Sequence, residues 1–459
     1  MYSKKASNLL SAAKADVGDR IAVTAGRKMH EGLLMPRIDT GDTDCLTLKL
    51  KNGYNIGIDA GRVEKIELIK KVKKMTKKKE GGPTGENPPS EAAGGRRGEA
   101  PSKDDIVILG CGGTIASKIE YRTGAVHPAI TTDELIRSFP KLKEKKIRSR
   151  MLFSLLSEDM TPAHWQRIAE AIEEEIKAGC RGVVLMHGTD TMHFTAAALS
   201  FMVKTPVPIV LVGAQRSSDR GSSDSMMNLM AAVMAAESDI AEVTVCMHAT
   251  ENDDYCHLHS GVHVRKMHTS RRDAFQSINT GPIAKIWPDQ NKIDVLKPHI
   301  KRGERKLKVD TRMNPNIALI YTYPGISPKM IQTIGKNVDG IVIAGTGLGH
   351  VPTNSMNDPK AISLVPEIKS LIDGGVPVVM APQTIYGRLN MNVYTAGRLL
   401  NETGVIGHLC DWTPEVALVK LMWVLGQTKK MDEVRKMMLT DIAGEITERS
   451  EPTDIEMKR

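Results

Sequence analysis

The chain has 459 residues, 41% of them apolar and 25% charged, which is enough for several packed cores, and its formal net charge is +9. Six cysteines in that length exclude a disulfide-stapled scaffold, and no apolar run reaches the roughly 18 residues that would span a bilayer. The basic surplus sits at the front, with 12 basic against 9 acidic residues over 1–70 and 9 against 4 over 71–103.

The first residues lack the apolar core of a secretory signal, so a soluble cytoplasmic protein is expected. Residues 17–69 alternate β-rich runs with turns: Arg20 to Thr24, Glu31 to Pro36, Cys45 to Leu50, Asn55 to Ile58 and Val63 to Leu68. Asn52-Gly53 is a hairpin signal. Short strands so closely spaced predict a small, SH3-like barrel over 1–70, suited to docking. Residues 71–103 carry Lys73, Lys74, Lys77, Lys78 and Lys79, then Gly81-Gly82-Pro83 and Asn87-Pro88-Pro89. Such a segment cannot bury a core and reads as a basic flexible linker. Its lysines could follow phosphates or simply be solvated, and no RNA-recognition motif or zinc knuckle accompanies them.

From residue 104, strands and helices alternate. Ile106 to Leu109, Val183 to Met186, Ile209 to Val212 and Val243 to Met247 read as strands, with helices near Trp165 to Lys177 and Met226 to Ala236. The pattern resumes with strands Ile317 to Tyr321, Gly340 to Ala344 and Val376 to Met380, and with helices near Thr395 to Asn401 and Pro414 to Leu425. Two α/β lobes are expected, over 104–300 and 310–446.

Two of these strands end in distinctive turns. Ile106 to Leu109 runs into Gly110-Cys111-Gly112-Gly113-Thr114-Ile115-Ala116, and Gly182 to Met186 runs into His187-Gly188-Thr189-Asp190-Thr191. The ligand crevice of an open parallel sheet lies at the carboxyl ends of its strands, so Thr114 and Thr189 can face one pocket. A threonine hydroxyl is a weak nucleophile that needs a base and donors for the oxyanion. The glycines allow sharp turning and close backbone approach, and Asp190 can hold an ammonium group or support a lysine. This is a plan for amide hydrolysis by hydroxyl attack. Alone, either threonine could equally be a helix N-cap.

Other chemistries fit less well. Cys256, His257, His259, His263 and His268 crowd one stretch but lack paired C-x2-C spacing, so no metal site is expected. The glycine run at 110–113 does not continue to G-K-[S/T] or complete G-x-G-x-x-G, so no nucleotide site is expected on this chain. Gly345-Thr346-Gly347-Leu348-Gly349-His350 reads as a tight strand-to-helix turn, and the scattered cysteines, Cys111 included, read as reduced core or loop thiols.

The two threonine runs resemble the signatures of the bacterial-type L-asparaginases and glutaminases, a Gly-Gly-Thr-Ile-Ala turn and a His-Gly-Thr-Asp-Thr segment. The resemblance continues through Leu156-Ser157-Glu158-Asp159-Met160-Thr161, Val212-Gly213-Ala214-Gln215, Lys266-Met267-His268-Thr269 with Asp273-Ala274-Phe275, and Asp411-Trp412-Thr413-Pro414-Glu415 to Leu421-Met422. It covers about three quarters of the chain and implies two asparaginase-like lobes with parallel sheets after the small barrel. The added N-terminal domain, with Tyr121-Arg122-Thr123-Gly124-Ala125-Val126 and the run from Lys266 to Phe275, is similar to the D-subunit family of archaeal glutamyl-tRNA(Gln) amidotransferases.

That resemblance implies a polypeptide that hydrolyses glutamine to glutamate and ammonia. A partner, the E subunit of the amidotransferase, would use ATP and Mg²⁺ to convert Glu-tRNA(Gln) to Gln-tRNA(Gln). It also implies a homodimer within an α2β2 heterotetramer, with no cofactor on this chain. Thr114 and Thr189 match the family's two threonines, Asp190 and Lys266 complete the Thr-Lys-Asp group, and Tyr121 matches a lid tyrosine. Ser157 and Glu158 fall where relatives bind the α-carboxylate and α-ammonium of substrate, with Glu in place of the usual Gln. A free-standing asparaginase or glutaminase, or a noncatalytic RNA-binding scaffold, are the other readings. The first has no use for the barrel and linker, and the second no use for the threonines and Lys266.

Overall fold

A computed structural model of the chain describes residues 2–26, 28–35, 42–50, 55–71, 105–112, 117–119, 126–128, 142, 145–216 and 222–449. Thr114, Tyr121, the Asn52-Gly53 turn and the linker beyond Lys71 lie outside the described residues.

The N-terminal unit begins with helix α1 (Lys4–Ala12), whose N-cap Ser3 accepts a hydrogen bond from the Ala6 backbone N–H. Strands β1 (Arg20–Ala25), β2 (Lys28–Leu34), β3 (Cys45–Leu50), β4 (Asn55–Asp59) and β5 (Val63–Lys70) follow, in the antiparallel order β4-β3-β2-β1-β5. Ile21, Val23, Leu34, Leu46, Leu48 and Ile58 bury one face together with Ala6 and Leu10 of α1. The expected small all-β unit thus carries a helix that the sequence pattern does not announce. Its apolar residues match the period of a helix but are few.

Next come β6 (Ile106–Gly112), the short antiparallel pair β7 (Ser117–Ile119) and β8 (Val126–Pro128), and β9 (Ile147–Leu155). Helix α2 (Pro162–Lys177) leads to β10 (Gly182–Met186), helix α3 (Met192–Met202) to β11 (Val203–Lys204) and β12 (Ile209–Val212), and helix α4 (Ser225–Glu237) to β13 (Val243–His248). Strands β14 (Cys256–Ser260), β15 (Val264–Lys266), β16 (Phe275–Ser277), β17 (Ala284–Trp287), β18 (Lys292–Val295) and β19 (Lys308–Val309) complete this lobe. Its main sheet has the order β18-β17-β14-β13-β12-β10-β6-β9. The five strands from β13 to β9 are parallel, as expected, and β14, β17 and β18 extend that sheet antiparallel.

The second lobe stacks β20 (Ile317–Tyr321), β21 (Gly340–Gly345) and β22 (Val378–Pro382) in parallel. Its helices are α5 (Pro328–Gly335), α6 (Val365–Asp373), α7 (Thr395–Glu402), α8 (Pro414–Gln427) and α9 (Met431–Leu439). Helix α8 packs on α3 from one side and on β20, β21 and β22 from the other, so a single apolar cluster runs from Val107 and Leu185 to Val342, Val379 and Trp412. Both α3 and α8 are apolar on nearly every face, as helices covered on all sides must be.

Candidate active site

The site forms where β10 ends. This strand lies between β12 and β6 and is buried along its length, so the chain leaves the sheet at Met186 and must turn before α3 begins at Met192. His187 fixes the turn. Its Nδ1 lies 2.7 Å from the Gly188 carbonyl oxygen and its Nε2 2.9 Å from Thr195 Oγ1. A carbonyl can only accept, so Nδ1 carries the hydrogen and Nε2 accepts from the threonine hydroxyl, which is the neutral ring. Complete burial agrees, lowering the His187 pKa to about 4.

Close approaches press neighbouring loops against this turn. A Cβ on Gly188 would lie 2.7 Å from Ser157 Cβ, and one on Gly213, just past β12, would lie 2.7 Å from the His187 carbonyl and 2.9 Å from Thr189 Cγ2. Thr191 Oγ1 donates to the Ser157 carbonyl at 2.6 Å, which ties the turn to the 3-10 turn Ser157–Asp159. Buried Asp224 accepts from the Gln215 and Arg216 backbone N–H groups at 3.0 Å and holds the loop after β12.

Thr189 is buried at 5% exposure, and its Oγ1 lies 2.9 Å from Lys266 Nζ. The same Nζ lies 2.7 Å from Asp190 Oδ1; the lysine side chain is 9% exposed and the aspartate 64%. Lys266 arrives from β15, which pairs with β16 so that Lys266 stands opposite Phe275. The following loop is held by its own bonds: His268 Nδ1 accepts from the Ser270 and Arg271 backbones, and the Arg271 guanidinium forks onto Asp273 at 2.8 Å.

Of the residues expected from sequence, Thr189, Asp190 and Lys266 therefore meet at one point. Ser157 is buried beside their turn, and Glu158 is exposed next to it. Thr114 and Tyr121 lie outside the described residues, but the approach to Thr114 is visible. Gly112 has φ +90° where β6 meets β9, and a Cβ there would lie 2.3 Å from the Leu155 carbonyl oxygen. Only glycine fits both the backbone angle and the space. The neighbouring Cys111 is fully buried, which pushes its thiol far above the usual range.

Of the histidines near Cys256, His257 and His259 pack edge to face with ring centroids 5.5 Å apart. His259 Nδ1 lies 2.7 Å from Ser277 Oγ, while His263 bridges the carbonyls of Ile278 and Gly444 at 3.1 and 2.7 Å. Sequence reasoning passes over Arg265, whose Nε donates to Glu415 Oε1 at 2.8 Å. It also passes over Thr191 and Thr195. The two threonines carry a local signal, in or just after the His187 run, whereas Arg265 and Glu415 are 150 residues apart and carry none.

A hydroxyl, a lysine nitrogen and a carboxylate in this row can pass a proton to and from the hydroxyl while the carboxylate keeps the nitrogen in place. Comparison with known proteins bears on the kind of molecule that carries it. Residues 105–301 match the family described as Asparaginase, N-terminal, residues 316–438 match the Glutaminase/Asparaginase C-terminal domain, and residues 15–69 match the GatD N-terminal domain. The chain is 49% identical over 452 residues to the D subunit of the glutamyl-tRNA(Gln) amidotransferase of Methanothermobacter thermautotrophicus, covering 98% of both chains. It is likewise 49% identical over 446 residues to the protein of the same name from Pyrococcus furiosus, covering 95% of this chain and 96% of the relative. Among solved structures, the thermostable L-asparaginase from Thermococcus kodakarensis superposes with a TM-score of 0.67 at 32% identity, covering 75% of this chain and all of that one.

Proposed function

This chain belongs to the D-subunit family of glutamyl-tRNA(Gln) amidotransferases, an enzyme family with an asparaginase-like body, and from that membership we propose that it is the component that hydrolyses L-glutamine to glutamate and ammonia. The observation that carries this reading is the placement of Lys266 Nζ, 2.9 Å from Thr189 Oγ1 and 2.7 Å from Asp190 Oδ1, at the carboxyl end of a central strand.

The hydroxyl of Thr114 or Thr189 adds to the side-chain amide carbon of glutamine. Lys266 in its neutral form takes the Thr189 proton, and Asp190 holds the lysine in line. Collapse of the tetrahedral adduct breaks the carbon–nitrogen bond, and the departing nitrogen takes the proton held by Lys266 and leaves as ammonia, which returns the lysine to its neutral form. Water then cleaves the ester to glutamate and restores the hydroxyl. Ser157 and Glu158 take the α-carboxylate and α-ammonium of the substrate, and Tyr121 closes over it to exclude water.

The ammonia passes to the E subunit of the amidotransferase, which binds ATP and Mg²⁺ and converts Glu-tRNA(Gln) to Gln-tRNA(Gln). This chain itself needs no cofactor. The assembly is an α2β2 heterotetramer built on a homodimer of this chain and working in the cytoplasm, and no helix of the described residues is long and apolar enough to cross a membrane.

The test is ammonia release from glutamine and from asparagine by the purified chain, alone and then with the E subunit, ATP, Mg²⁺ and Glu-tRNA(Gln). Release from glutamine that rises only with the full mixture is the expected result. Strong hydrolysis by the chain alone, unchanged by the additions, would make it a free amidohydrolase. No release under either condition would leave only a scaffold.

A further inference from the structure

Lys266 is held at its head by Thr189 and Asp190, and the strand that presents it is short. β15 has three residues and, among the described residues, pairs only with β16 in a two-stranded ladder outside the main sheet. Successive side chains on a strand point to opposite faces, so Arg265 leaves β15 away from Lys266.

Arg265 reaches the first turn of α8 in the other lobe, where its Nε meets Glu415 Oε1 at 2.8 Å. Burial raises the pKa of the Tyr321 phenol at the end of β20, with Glu415 reinforcing that shift and Arg265 opposing it. Glu415 is 4% exposed, and its second oxygen is buried with no hydrogen-bond partner among the described residues. The carboxylate therefore relies on Arg265 for compensation, and a buried charge pair of this kind keeps a strict geometry. The cluster is electrostatically joined to the site. Burial lowers the His193 pKa in the first turn of α3 to about 4, Glu415 opposing the shift and Arg265, Lys266 and His187 reinforcing it.

We propose that the Arg265–Glu415 pair is a positioning device for Lys266, anchoring β15 to α8 so that the lysine nitrogen stays within reach of Thr189. This rests on the glutaminase reading for its kinetic consequence and on geometry alone for its structural one. Neither residue touches the reacting atoms. They act through the register of one short strand, and they make the second lobe part of the catalytic geometry of the first.

The test uses the full chain in complex with the E subunit, ATP, Mg²⁺ and Glu-tRNA(Gln), comparing Arg265→Met, Glu415→Gln and the double variant Arg265→Met/Glu415→Leu. Misplacing a catalytic group by about an ångström can cost on the order of a hundredfold in rate, so kcat for glutamine hydrolysis is expected to fall about 10- to 100-fold with KM nearly unchanged. The double variant removes both charges and is expected to recover the melting temperature lost by Arg265→Met without recovering kcat. Recovery of kcat together with the melting temperature would reduce the pair to a structural role and overturn the proposal.

A crystal structure of the double variant decides the matter without any assay. Lys266 Nζ beyond hydrogen-bonding reach of Thr189 Oγ1 is expected, and persistence of the native 2.9 Å contact would overturn the proposal. Lys266→Met as a parallel control keeps the two readings apart: full glutamine hydrolysis by that variant would sink the catalytic role of the lysine and leave the positioning result to the crystal structure.

Discussion

Lys266 meets Thr189 and Asp190 across 77 and 76 residues of chain, and its amine touches both. Lys266→Met is expected to lower kcat/KM for glutamine by about 10²- to 10⁴-fold, the usual contribution of a general base. Asp190 is largely solvated, so losing its partner should hardly change the melting temperature. A rate loss matched by an equal loss of folded protein would contradict this. The buried histidines set a pH dependence of stability. His187 and His193 each titrate near 4 in the folded chain because burial disfavours their charged form, against an ordinary value of 6.5. Between those values the unfolded chain binds more protons than the folded one, so stability falls as pH drops through that window and is unaffected above it. Each ring contributes on the order of 1 kcal/mol per pH unit there. Urea midpoints measured from pH 7.5 down to 4.5 should show this slope, and His187→Gln should flatten it by its own share.

Elements differ in how plainly they announce themselves. α2 is legible because Trp165, Ile168, Ala169 and Ile172 recur at helical spacing on its buried face, behind Pro162 and the N-cap Thr161, where the Thr161 backbone donates to His164 Nδ1 at 3.0 Å. The parallel strands β6, β10, β12 and β13 read as short apolar runs between turns, as strands covered on both faces do. α3 has no polar face and so no stripe, and unlike α8, which shares that pattern but begins at Pro414 behind the capping Thr413, it has no side-chain cap to mark its start. β9, at the sheet edge, mixes Arg148, Ser149 and Arg150 with apolar residues and gives no clear period. The packing of β10 on α4 leads to a prediction. A Cβ at Gly182 would lie 2.3 Å from the Ala236 carbonyl oxygen, a backbone atom that cannot swing away. Gly182→Ala should therefore cost about 1–3 kcal/mol in chemical denaturation, as overpacking does, while leaving the distant Lys266 contact and KM intact.

Over the whole molecule, the lobes are joined by polar ties as well as by α8. Asn279 Nδ2 donates to the Asp411 carbonyl at 2.6 Å and its Oδ1 accepts from the Gly387 N–H at 2.8 Å, while His263 reaches the Gly444 carbonyl. The segment after α9 is pinned by Lys420, fully buried, which donates to the Met438 and Thr440 carbonyls at 2.7 Å and pairs with the equally buried Glu445. Burial pushes the Lys420 ammonium below its usual range, and Glu445 opposes that shift. Lys420→Met would leave the buried Glu445 carboxylate without its counter-charge, held by the Ile442 and Ala443 N–H groups, and should cost about 3–5 kcal/mol, whereas Lys420→Met/Glu445→Leu, which also frees those N–H groups, should regain part of the loss. Thermal denaturation of the three chains checks this, and equal melting temperatures for the single and double variants would contradict it.

The local grammar of the chain was enough to determine the α/β class, the small β unit at the front, and the turn that carries Thr189 and Asp190, while Lys266 joined them only through the family resemblance. Strand periodicity, glycine-bearing turns and short motifs are short-range properties, written within a few residues of where they act. Tertiary structure alone decided that Lys266 stands between Thr189 and Asp190, that His187 is kept neutral by its complete burial between the Gly188 carbonyl and the Thr195 hydroxyl, and that Arg265 reaches Glu415 in the other lobe. Those facts depend on which distant segments share a buried volume. Burial and charge pairing are set by that meeting, and no window along the chain contains both partners.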